Sequence, residues 1–243
     1  MNLYKVILDS LYSLLPRQPD RSAVYSDALC APEGDKNALL FRADTAFELG
    51  GSGKAAVESV VFGDPPQNRD EVLLYGKDLR ELSDDTPFAH FTVIKLREDS
   101  DKDLRYEQLQ TIAFSVFQLY PEGYHIRISP SAGREQVRVA RSALEREHPL
   151  SFMNVGCSLI RLLKKHEDVE SVNTVFITDQ NSDYRALAEL ARKAKAITDT
   201  VQRTLMPDTL DCASCKMKPV CDEIEGMREL HFQKERERKR HGT

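Results

Sequence analysis

Three cysteines fall within ten residues of one another near the C-terminal end, at Cys212, Cys215 and Cys221. The full pattern is Cys212-x2-Cys215-x5-Cys221-x9-His231. A Cys-x-x-Cys pair on a tight turn lets two thiolates reach one metal ion, and a third thiolate six residues later can close a third corner. Pro219 stiffens the approach to Cys221, and Lys216 and Lys218 favour the thiolate form. His231 is a chemically suitable fourth ligand, because imidazole binds both zinc and iron. In a reducing compartment such a cluster is a metal site more often than a disulfide framework. The plainer alternative is three reactive or buried thiols. A Cys3His set suits structural zinc, and three cysteines with a variable fourth ligand suit an iron–sulfur cluster. The two remaining cysteines, Cys30 and Cys157, are isolated in sequence. Cys157 sits in the apolar stretch FMNVGCSLIRLL and is expected to be a buried small residue.

The chain has 243 residues, which suits one large domain or two small ones, and 41% hydrophobic residues are enough to bury a core. A formal charge of −5 does not point to a general nucleic-acid binder or a membrane-surface protein. No apolar run reaches the ~18 residues that a membrane-spanning helix needs. Asp9 interrupts the N-terminal apolar pattern, so no signal peptide is expected, and the expected compartment is the cytoplasm.

Apolar spacing predicts a helix over 2–15 ended by Pro16, then a Pro-rich loop over 16–36. Short β-like runs follow at Leu39–Phe41, Val57–Phe62 and Val72–Tyr75, and a clear strand at 88–96, FAHFTVIKL. A helix over Tyr106–Tyr120, strands at Tyr124–Ile128 and Gln136–Ala140, a helix over 151–165, a strand at Val172–Thr178 and a helix over 182–204 complete the pattern. Ser182 or Asp183 is the expected cap of the last helix. Alternating strands and helices predict an α/β fold, with α+β left open, built on a mixed sheet with flanking helices. The expected division is an N-terminal helix and loop (1–40), an α/β domain (41–205), and a small metal-binding cysteine knuckle with a charged tail (206–243).

The cysteine segment resembles that of the acetyl-CoA synthase (beta) subunits of CO dehydrogenase/acetyl-CoA synthase complexes. That family holds the iron–sulfur part of its metal centre with Cys-x2-Cys-x8-Cys-x9-Cys. Here the middle loop is three residues shorter, and His231 stands at the spacing of the fourth cysteine. Upstream, Phe47-Glu48-Leu49-Gly50-Gly51, Gly123-Tyr124-His125, Val137-Arg138-Val139, Asn154-Val155-Gly156 and Val172–Asp179 are similar to phrases of the family's middle domain, in the same order. The resemblance covers about 46–231. It implies a [4Fe-4S] cluster, with zinc as the alternative cofactor, and partners among CO dehydrogenase or corrinoid protein subunits. The family's dinickel site needs a Cys-Gly-Cys motif that this sequence lacks, so no nickel is expected. The implied role is an accessory protein of one-carbon metabolism. Two other roles stay open: a zinc-binding interaction protein, and an enzyme with an open iron site.

Arg127, Arg134, Arg138 and Arg141 gather in one stretch. Arginines at strand edges can grip phosphate or carboxylate in bidentate fashion, and the plainer reading is a solvated charged face. Because the family's middle domain is associated with CoA, the resemblance implies a CoA-like ligand at Arg127, Arg138 and Arg141. Gly51-Ser52-Gly53-Lys54 invites a phosphate-loop reading, but Glu48 stands where the first glycine belongs and Ala55 follows the lysine, so an ordinary glycine turn is expected. His125 is expected to be a core or edge residue of its strand.

Overall fold

The computed structural model describes residues 3–35, 40–97, 102–129 and 134–205, with the side chains of 102–107, 127–129, 134–135 and 202–205 left aside. The long apolar strands organise the fold. β1 (Arg21–Val24), β3 (Ala56–Phe62), β4 (Glu71–Tyr75), β5 (Phe88–Leu96) and β8 (Val169–Ile177) form a five-stranded sheet in the order β1-β4-β8-β5-β3. β4 and β8 run parallel, as do β3 and β5, while β5 pairs antiparallel with β8 and β1 with β4. The sheet is therefore mixed. A second, antiparallel sheet has the order β2-β7-β6, from β2 (Thr45–Leu49), β6 (Tyr124–Ser129) and β7 (Arg134–Ala140).

Helices flank the larger sheet. α1 (Lys5–Leu14) buries Ile7, Leu8 and Leu11 and packs on α5 (Tyr184–Leu205), where Tyr4 and Thr198 share a buried hydroxyl hydrogen bond of 2.9 Å. Between them come α2 (Lys102–Ser115), the four-residue α3 (Arg141–Leu144) and α4 (Phe152–Leu163). α4 starts where the sequence places it because Ser151 and Asn154 form a reciprocal capping box. Its apolar face then lies on β4 and β8. Gly156 permits that approach, since a Cβ there would stand 2.6 Å from Val72 Cγ1 and 2.7 Å from Thr174 Oγ1.

Asp78 joins three segments at one buried carboxylate. It accepts from the backbone N–H of Leu79 and of Phe152, each at 2.8 Å, and pairs with Arg21 at 3.2 Å. The turn after β4, the start of α4 and the edge strand β1 are thereby held together.

Two expectations are corrected. The stretch 16–36 is not wholly loop, because Arg21–Val24 adds an edge strand to β4 and Asp27–Leu29 forms a 3-10 turn. Leu40–Phe41 is not strand; the strand of this region is β2, starting at Thr45. Both real strands are only four and five residues long, and pairing with β4 and β7 fixes their extended state. The predicted helix cap is Asp183, whose carboxylate accepts from the N–H of Ala186 at 2.9 Å. Among the described residues, no helix is long and apolar enough to cross a membrane.

Candidate functional site

The proposed metal ligands Cys212, Cys215, Cys221 and His231 lie outside the described residues, as does the predicted knuckle. The helix that leads toward them is firmly seated. Leu187, Ala194, Ile197 and Val201 of α5 are buried. The Tyr184 hydroxyl lies 3.0 Å from the Asp179 carbonyl and 3.3 Å from those of Pro87 and Ile177, and burial raises its pKa. Among the described residues, no three ligand-type side chains come together as a metal site.

The arginine cluster falls on the three-stranded sheet and just beyond it. Register places Glu48, Arg138 and His125 side by side across β2, β7 and β6. Arg138 Nε donates to Glu48 Oε1 at 2.5 Å and its Nη1 to the Leu40 carbonyl at 3.2 Å. Its guanidinium is thus engaged within the protein. Arg141 stands exposed at the start of α3, past the end of β7. The backbone of Arg127 pairs with Gln136, and its side chain lies outside the described set. His125 is half-buried, and burial lowers its pKa.

Gly51-Ser52-Gly53-Lys54 is a turn between two strands, with Ser52 and Gly53 at φ of 52° and 76°. The Ser52 hydroxyl donates to the Asp85 carboxylate, and Lys54 donates to the Asp85 carbonyl at 2.5 Å. A phosphate loop needs a helix N-terminus after its glycines, and β3 follows instead.

The structure assembles groups that sequence spacing does not reveal. His90 and Glu58, cross-strand partners on β5 and β3, bury their side chains with Nδ1 2.6 Å from Oε1. The His90 ring stacks on Phe176 at 4.4 Å, and Phe176 meets Phe152 at 4.8 Å. A polar pair thus sits inside an aromatic core. Ser115 Oγ lies 2.8 Å from His166 Nε2 and 3.0 Å from the Thr111 carbonyl, but Ser115 is buried, so the pair joins α2 to the turn after α4 rather than facing a substrate. A cavity of about 140 Å3 opens where Ala31–Gly34, Gln118–Pro121 and the last turns of α4 meet, with Arg161 and Lys165 on its wall. None of these groupings has a local motif, because their members come from segments far apart in the chain.

No protein-family model matches this chain, and no curated protein sequence matches it.

Proposed function

We propose that this chain is an acetyl-CoA synthase beta-subunit-like iron–sulfur protein, cytoplasmic and accessory to CO dehydrogenase in one-carbon metabolism. In this proposal the α/β body carries a [4Fe-4S] cluster held by Cys212, Cys215, Cys221 and His231. The observation that carries it is the spacing of those four residues, three thiolates and an imidazole within twenty positions. The donor set fits an iron–sulfur cluster, whose irons take thiolate and, less often, imidazole ligands.

Further support comes from the phrases that carry the resemblance. Phe47-Glu48-Leu49, Val137-Arg138-Val139 and Tyr124-His125 lie on neighbouring strands of one small sheet, with Phe47 opposite Val139 and Val139 opposite Tyr124. The sequence has no Cys-Gly-Cys, so the proposal assigns it no nickel and no acetyl transfer of its own. The cluster would pass electrons to, or help assemble, a CO dehydrogenase or corrinoid protein subunit. A CoA-like ligand would have to draw Arg138 away from Glu48, so the proposal puts no weight on one.

The imidazole favours a second reading. Cys3His is a structural zinc set, and a zinc knuckle would make the chain an interaction protein. Purification without oxygen, followed by assay of iron, sulfide, zinc and nickel, separates the two. Brown protein with about four irons and four sulfides supports the cluster. Colourless protein with one zinc supports the knuckle, and metal-free protein overturns both. His231→Cys is expected to keep the cluster and His231→Ala to make it labile; an unchanged Ala variant removes His231 from the ligand set.

A further inference from the structure

Cys30 and Cys157 are 127 positions apart in sequence, yet the fold lays their segments together. The 3-10 turn Asp27–Leu29 packs on α4, and Ala31 is strapped to that helix by two contacts. Its N–H donates to the Asn154 carbonyl at 3.2 Å, and its carbonyl accepts from the Ser158 hydroxyl at 3.4 Å. The Cys30 thiol lies 3.8 Å from the Ser26 carbonyl and beside the Ser158 hydroxyl. The Cys157 thiol, fully buried, lies beside the backbone of the same Ser26. Both sulfurs therefore border one residue. Both are free thiols, Cys30 half-buried and Cys157 buried. Cys30 is the partly exposed member of the pair and the one a small oxidant can reach from solvent.

We propose that Cys30 and Cys157 form a reversible dithiol–disulfide pair that, when oxidised, staples segment 26–31 onto α4. The oxidant class is a low-molecular-weight disulfide. The Cys30 thiolate attacks one sulfur of that disulfide, whose S–S bond breaks and releases one small thiolate, which takes up a proton. The Cys157 thiolate then attacks the Cys30 sulfur and releases the second small thiol. Two protein thiols are oxidised and one small disulfide is reduced to two thiols. Excess small thiol reverses the sequence.

The groups facing the pair are Arg161, Asp27 and Tyr25, with the Ser158 hydroxyl. Burial holds both thiols above the usual range, and Arg161 only partly offsets this at Cys30. The exchange should therefore run faster at about pH 9 than at about pH 7.

The test treats the full-length native protein with oxidised glutathione, alkylates the remaining thiols in acid and maps tryptic peptides by mass spectrometry. The expected product joins peptide 22–36 to peptide 147–161. It is lost in Cys30→Ser and after dithiothreitol, and Cys157→Ala leaves Cys30 as a glutathione mixed disulfide. Cys30→Ser changes a half-exposed side chain, so it decides the matter even if Cys157→Ala fails to fold. Full alkylation of both cysteines after oxidation overturns the proposal. So does pairing of either with Cys212, Cys215 or Cys221, or a link that forms only in urea.

Discussion

In the five-stranded sheet, β5 and β8 are buried along nearly their whole length, whereas in the three-stranded sheet β2 and the described end of β7 alternate between buried and half-buried residues. The first is a core covered on both faces. The second keeps a polar row, Glu48, Arg138 and His125, on one side of the ladder. The contrast separates stability from adaptability. Phe88, Phe152, Phe176 and His90 pack as one aromatic cluster that tolerates little change. The small sheet relies on an ion pair with about a fifth of each side chain exposed, where water and salt weaken the attraction.

Substitutions can break or sharpen this comparison. Phe176→Ala should have the largest effect, about 3–5 kcal/mol of lost stability, because it empties a fully buried site between Phe152 and His90. The urea midpoint is the measurement, and a loss below about 1 kcal/mol would show that the cluster is not the core's anchor. Arg138→Ala should cost about 1 kcal/mol and local order in the small sheet, read by amide hydrogen exchange in β2 and β7. A loss as large as that of Phe176→Ala would erase the distinction between the sheets. The smallest effect expected is a pH dependence. Burial holds His125 below its unfolded value, so as pH falls the unfolded chain takes up the proton first. Stability from this group is thus full above about pH 6.5 and declines as pH drops below it. His125→Gln should flatten the difference between urea midpoints at about pH 7.5 and pH 5.5, and an unchanged slope would assign the acid sensitivity to other groups.

Legibility in the sequence follows the same division. FAHFTVIKL and VNTVFIT announce themselves because β-branched and aromatic residues dominate strands buried on both faces. α4 and α5 are equally plain, since each has its cap and its apolar stripe. Thr45–Leu49 and Arg21–Val24 are hidden because four or five residues are too few to show a period, and pairing with β7 and β4 completes what their own residues only suggest. The arginines show the limit for sites. Spacing brings Arg138 and Arg141 to notice, but only the fold shows that Glu48, ninety positions upstream, already holds Arg138. The cysteine spacing is local chemistry and needs no fold to be read, whereas the packing of the Cys30 segment on the helix that carries Cys157 is invisible without one.

The place of β8 between β4 and β5 has a consequence for how the chain matures. As the polypeptide leaves the ribosome, the ribbon β1-β4 and the ribbon β3-β5 are both synthesised long before the strand that joins them. Until about residue 177 has emerged, each exposes an open edge toward the gap β8 will fill. Nascent chains at that stage present pairing surfaces to one another, so the interval before β8 emerges is when this protein is most exposed to aggregation.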